Sequence, residues 1–88
     1  MLTEEQELFL KVLKDSMGIV SIALQQTGVG REEYEEWSEN IFFKDELRRV
    51  KETSIDFVEN KLMNEIRDGN ISAITFYLKT MGKDRGYN

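Results

Sequence analysis

The stretch TGVGREEYEEWSEN, residues 27–40, decides the fold prediction. Gly28 can take the left-handed backbone conformation that a tight turn requires, and Val29 is an apolar residue placed to fill a core. A third helix follows, with Tyr34 and Trp37 on its inner face at a spacing of three residues. The pattern predicts a tri-helical helix-turn-helix, and the alternative is an ordinary helical corner.

The residues before this stretch supply the other two helices of the bundle. TEEQ, residues 3–6, is a capping box in which Thr3 caps the first helix and Gln6 reaches back to it. We predict that residues 1–43 form the helix-turn-helix bundle and residues 44–88 a hairpin with a short basic tail, within one compact domain. The predicted core residues are Phe9, Leu13, Leu24, Tyr34 and Trp37.

The residues after the stretch predict two more helices, so the fold class is all-α. A long helix covers roughly residues 44–68, and a last helix covers residues 71–81 after the stop signal Gly69 and the cap Asn70. The short link allows only an antiparallel helical hairpin. Both helices are apolar in two directions, which is typical of helices buried on two sides. We therefore predict that the hairpin is an oligomer interface, formed by Phe76, Ile55, Leu62 and Ile66.

The composition excludes several classes of function. The 88 residues include no Cys and no His, so thiol chemistry, disulfides and the usual general base near neutral pH are absent. The sequence has no phosphate-binding glycine loop and no metal-ligand spacing, so we expect neither an enzyme nor a bound cofactor or metal. The apolar runs are too short to cross a bilayer, and the first ten residues lack a basic signal region. We expect a cytoplasmic protein with no membrane partner.

The charge of the chain is concentrated in its first half. The net charge is −5, and residues 1–44 hold nine acidic side chains against four basic ones. Residues 31–39 alone contain five glutamates and one arginine. Two interpretations are open: a solvated helix face with Arg31 paired to Glu35, or carboxylates that chelate a hard cation. We favour the solvated face, because cation sites of this kind usually use a loop with carbonyl oxygens.

Basic residues lie in two other places. ELRRVK, residues 46–51, belongs to the long helix, where ion pairs such as Arg48 with Glu52 are the simpler explanation. For the tail KTMGKDRGYN, residues 79–88, two interpretations are equally open: charges that only provide solubility and pairing, or flexible contact with phosphates, which its glycines and Tyr87 suit. The candidate DNA-contacting residues are Arg31, Lys79, Lys83 and Arg85.

Two segments carry a resemblance to a known family. SIDFVENKLMNEIRDGNISAITFYLKTMGKDRGY, residues 54–87, resembles the C-terminal part of phage and prophage proteins related to small terminase subunits. MGIVSIALQQTGVGREEYEEW, residues 17–37, is similar to the homeodomain-like module of that family. The resemblance implies a non-enzymatic protein that binds viral DNA, assembles into a ring and presents DNA to the large terminase subunit, in the cytoplasm of a bacterial host. The chain departs from the family at GREEYEE, where such modules usually carry Ser, Thr and basic residues.

The departure leaves two functional interpretations. The first is a small-terminase-like phage protein that self-associates and binds the phosphate backbone of DNA weakly. The alternative is a protein–protein interaction module that keeps the helix-turn-helix as a scaffold and presents the acidic helix to a basic partner.

Overall fold

The computed structural model describes residues 1–87, and this part of the chain is all-helical. The five α-helices are α1 (Glu4–Asp15), α2 (Val20–Thr27), α3 (Arg31–Trp37), α4 (Ile41–Arg67) and α5 (Ile71–Met81), followed by a 3-10 turn at Lys83–Arg85. The all-α prediction is confirmed. None of the described helices combines the length and the apolar character that spanning a membrane requires.

The predicted caps of α1 and α5 are confirmed. The Thr3 hydroxyl accepts a hydrogen bond from the Gln6 backbone N–H at 3.1 Å, and the Gln6 side chain accepts from the Thr3 N–H at 2.9 Å. At α5, the Asn70 side-chain oxygen accepts from the Ala73 N–H at 3.0 Å. These bonds satisfy amide groups that have no partner inside the helix, and thereby fix where each helix begins.

The predicted start of α4 at residue 44 is wrong, because the helix begins at Ile41. The cause is Asn40, whose side-chain oxygen accepts hydrogen bonds from the N–H groups of Phe42 at 2.8 Å and Phe43 at 3.4 Å. Asn40 is therefore the cap that the helix uses. The apolar residues that follow it are already helical, and α4 extends to Arg67.

The chain divides into two compact units, the first covering Met1–Ile55 and the second beginning at Asp56. The division falls inside α4, whereas the sequence prediction placed it ahead of that helix, between residues 43 and 44. Phe43 and Leu47 of α4 are buried with the core of the first unit. The first part of α4 is therefore a fourth helix of that unit.

The core of the first unit is built around Phe9. Its ring lies 5.5 Å from the ring of Tyr34, 5.8 Å from that of Trp37 and 6.1 Å from that of Phe43, measured between centroids. These separations are typical of favourable aromatic pairs. Of the predicted core residues, Phe9 and Leu13 are fully buried. The other three, Leu24, Tyr34 and Trp37, are partly buried and pack against the same cluster.

The second unit contains the last part of α4, α5 and the 3-10 turn. Among residues 56–87, Gly82 alone is buried. The inward apolar side chains are only half-buried: Leu62, Ile66, Ala73, Ile74 and Leu78. Several large apolar side chains are more than half exposed, namely Phe57, Val58, Ile71, Phe76 and Met81. This unit therefore leaves much of its apolar surface open to solvent.

Candidate nucleic-acid and self-association surfaces

The link between α2 and α3 is a tight turn of three residues, 28–30. Gly28 has a φ of 76°, in the left-handed region that the sequence predicted for it. The Thr27 hydroxyl donates to the Ala23 carbonyl at 2.7 Å and accepts from the Val29 N–H at 3.3 Å. Glycine-containing turns of this length join the two helices of helix-turn-helix modules. The turn fixes where α3 leaves the bundle.

The α3 helix has an inner aromatic side and an outer charged side. Tyr34 and Trp37 pack on the core cluster. The outer side chains are all exposed, and they are Arg31, Glu32, Glu33, Glu35 and Glu36, with Glu39 in the turn that follows. With one arginine among these residues, the surface that a recognition helix would offer to DNA carries a net charge of −4. Base-reading helices normally place hydrogen-bonding and basic side chains there.

Two predicted ion pairs are wrong. Within residues 1–87 the ion pairs are Arg48 with Asp45, at 3.5 Å, and Arg49 with Glu46. Arg48 therefore pairs three residues back rather than with Glu52, and the pair expected between the arginine and a glutamate of α3 does not form. Exposed pairs of this kind contribute only about 0.3–0.5 kcal/mol, too little to fix two long side chains.

One glutamate of α3 interacts with α1. A side-chain hydrogen bond with Glu5 raises the pKa of Glu33 above its ordinary value, with smaller contributions from partial desolvation and from the negative charges of Glu5 and Glu36. Two carboxyl groups that share a proton avoid the repulsion of two adjacent negative charges. Within residues 1–87, no three acidic side chains are grouped closely enough to hold a metal ion.

The basic tail is folded as far as the structure describes it. The Gly82 carbonyl accepts from the N–H of Arg85 at 3.0 Å and from that of Tyr87 at 3.3 Å. Gly86 has a φ of 94°, and its left-handed conformation returns the chain toward α5. Tyr87 then lines a shallow pocket with Leu78 of α5. In the structure, α5 and the turn present Lys79, Lys83 and Arg85 on an exposed, hydrogen-bonded segment.

The sequence prediction missed a charged groove in the first unit, in which Glu7, Asp45 and Glu46 balance three basic side chains. Lys11 and Lys14 of α1 line an open groove of 640 Å³ together with Arg49 of α4. The same groove contains Asp45 and Glu46, which already pair with arginines. The spacing of three residues between the two lysines was the available signal, because it places both on one face of α1.

The second unit contains an apolar groove, which we call the hairpin groove. It has a volume of 320 Å³, and Glu59 stands beside its apolar residues Leu62, Met63, Phe76, Tyr77 and Met81. Two predicted interface residues, Leu62 and Phe76, come together here. Ile66 is half-buried and outside the groove lining, and Ile55 is 58% exposed at the end of the first unit.

Comparison of the chain with family models, curated proteins and solved structures finds no match in any of the three. The assignment of function therefore depends on the surfaces described above and on the resemblance carried by residues 17–37 and 54–87.

Proposed function

We propose that the chain is a DNA-binding protein of the phage small-terminase type, with a homeodomain-like bundle and a self-associating hairpin. The single observation that best supports the proposal is the hairpin groove. Phe76 is 58% exposed and Met81 is 69% exposed beside it, on a unit that has little core of its own. Contiguous exposed apolar residues of this kind mark interaction surfaces. A second copy of the chain would remove them from water.

The DNA contact in this proposal is electrostatic and directed at the phosphate backbone. The α3 surface is too acidic for base reading, whereas Lys79, Lys83 and Arg85 are exposed on an ordered segment. Each neutralised phosphate contributes a slope of about −0.9 to log affinity against log salt concentration. Three contacts give a slope of about −2.7 for one subunit. Several linked subunits on one duplex raise the overall affinity by effective concentration.

A salt titration on duplex DNA tests this part of the proposal. Replacing Lys79, Lys83 and Arg85 together by Gln is expected to flatten the salt dependence and abolish binding at physiological salt. The matched control replaces three exposed basic residues of α4, Lys44, Lys51 and Arg67, and is expected to bind nearly as the parent does. Equal losses in the two variants would contradict the assignment of the tail. Arg31→Gln alone, made in the parent chain, is expected to weaken binding by the loss of one phosphate contact.

The acidic face is tested on duplexes of different sequence. Replacing Glu32, Glu35 and Glu36 by Gln is expected to strengthen binding, because repulsion from phosphates is relieved, without creating a preference for any sequence. If this variant instead loses a preference that the parent has, the glutamates read bases and the proposed contact is wrong.

Self-association is tested by the native mass of the protein at micromolar concentration, with and without duplex DNA. The parent is expected to be an oligomer, and Phe76→Asp is expected to dissociate it while keeping its helical signal. A monomeric parent would refute the proposal. In the proposed setting, the oligomer presents DNA to a large terminase subunit.

One observation favours a second candidate function, an interaction module without DNA binding. The exposed carboxylates of α3 form a surface suited to a basic protein partner. This candidate predicts that the parent does not bind duplex DNA at low salt. It also predicts that the Gln variant of Glu32, Glu35 and Glu36 loses the partner while its native mass is unchanged.

A further inference from the structure

An aromatic side chain stands exposed on the second unit, away from the hairpin groove. Phe57 is 53% exposed, and the Lys61 ammonium lies 5.4 Å from the centre of its ring. The two residues are one helical turn apart and form a short ridge of one aromatic ring and one positive charge. The ring keeps this ammonium close, and cation–π contacts of this kind are modestly favourable.

The ridge and the hairpin groove lie on different sides of the same helix. At about 100° per residue, Glu59, Leu62 and Met63 lie roughly 120 to 160° around α4 from Phe57. The ridge of one chain therefore has no access to its own groove. The two surfaces can meet only between different molecules.

The chemistry of the two surfaces is complementary. The groove volume of 320 Å³ is at the lower end of pockets that hold a small ligand, about 300–1,000 Å³, so it suits an inserted side chain better than a whole helix. Its aromatic members, Phe76 and Tyr77, offer favourable ring pairs. Its methionine members, Met63 and Met81, are adaptable and make favourable contacts with aromatic rings. Glu59 stands beside these groups with the charge opposite to that of the ridge lysine.

We propose that Phe57 of one copy of the chain inserts into the hairpin groove of the next copy, and that Lys61 then pairs with Glu59 of that copy. This inference rests on the proposed self-association and deepens it. The contact joins two different surfaces, so it is heterologous. Each added copy offers a free ridge and a free groove, and such contacts close into rings or continue as filaments.

Mixing two defective variants tests the pairing. Phe57→Asp removes the ridge and keeps the groove, whereas Phe76→Asp damages the groove and keeps the ridge. Each variant alone is expected to be monomeric. An equimolar mixture is expected to form dimers and nothing larger, because one functional groove then meets one functional ridge. The native mass of the mixture should be twice that of one chain.

A charge exchange between Glu59 and Lys61 provides a second measurement. Both side chains are exposed, so their replacement should leave the fold intact. Lys61→Glu and Glu59→Lys are each expected to weaken assembly of the parent about tenfold at low salt, because each change places two like charges opposite one another in the contact. The chain that carries both changes is expected to recover, because the pair is restored with its signs reversed. The helical signal of all three variants should match that of the parent.

The outcomes separate this inference from the proposed function. If the parent assembles but the mixture stays monomeric and the double exchange does not recover, the ridge-to-groove pairing is wrong and the self-association stands. If the parent is monomeric at micromolar concentration, both fail. If the two variants assemble into the parent's oligomer without being mixed, the groove has another occupant and the inference is overturned.

Discussion

Replacing Phe9 by Ala should remove most of the stability of the first unit. The Phe9 side chain is completely buried, and its ring contacts three other aromatic rings. Truncation of a buried Phe to Ala typically costs about 3–5 kcal/mol. A unit of 55 residues has a free energy of unfolding of roughly 3–8 kcal/mol at the usual value per residue. The loss is therefore comparable to the whole stability of the unit.

Urea denaturation followed by tryptophan fluorescence measures this loss directly. Trp37 is the single tryptophan, and its ring lies 5.8 Å from that of Phe9, so the signal reports on the first unit. The matched control is Leu8→Ala, at the adjacent position, where the side chain is 58% exposed. Exposed substitutions of this kind change stability by about 0.5 kcal/mol or less.

The expected result is a large shift of the urea midpoint, or an unfolded protein in buffer, for Phe9→Ala and almost none for Leu8→Ala. For a domain of this size, a loss of 3–5 kcal/mol corresponds to a fall in melting temperature of roughly 12–40 °C. If Phe9→Ala loses less than about 1 kcal/mol, or no more than Leu8→Ala, the aromatic cluster is not what holds the bundle together.

Three further predictions concern other parts of the chain. Trp37→Ala should lower the melting temperature strongly and reduce the helical signal; an unchanged melting curve would place this residue outside the core. Glu33→Gln should raise the melting temperature at pH 7 but not at pH 4, by comparison of thermal melts. Because the hydrogen bond with Glu5 raises the pKa of Glu33, the folded state binds the Glu33 proton more tightly than the unfolded chain does. The stabilisation from this proton is therefore lost as the pH rises from 4.5 through the pKa of Glu33 in the folded state. Gly82→Ala should speed amide hydrogen exchange in the turn at residues 83–85. A β-carbon at residue 82 would lie 2.6 Å from the Leu78 carbonyl oxygen and 3.1 Å from the Tyr87 ring, so the turn would have to shift. An unchanged exchange rate would contradict this prediction.

Local signals in the sequence predicted the ends of most helices. The capping box at Thr3, the left-handed Gly28 and the Asn70 cap each depend on residues within three or four positions, so a pattern identifies them without knowledge of the fold. The Asn40 cap was missed because it follows Ser38 and Glu39 directly after α3, in a turn with no glycine to separate the two helices.

Local sequence signals did not predict which apolar residues of α4 are buried, because burial depends on contacts with residues distant in the chain. Phe43, Leu47 and Phe57 lie near one direction of α4 by helical periodicity, yet the first two are buried and Phe57 is exposed. Periodicity identifies an apolar face but not which half of a long helix meets a partner in its own chain. Periodicity also gives no information about the tail. There the Tyr87 N–H donates to the Gly82 carbonyl and closes a turn in a glycine-rich segment.

The distribution of charge bears on how a weak DNA contact would serve this protein. Residues 31–39 carry a net charge of −4, and residues 79–88 carry +2, so one subunit offers DNA fewer favourable charges than unfavourable ones. A single chain then has little affinity at physiological salt, where repulsion and attraction are both screened beyond about 8 Å. In an assembly, the tail contacts of several subunits add on one duplex, and effective concentration raises the overall affinity. Under the proposed function, DNA binding depends on assembly. Replacing Phe57 or Phe76, which contact no DNA in this scheme, is then expected to reduce the affinity as strongly as replacing the basic residues of the tail.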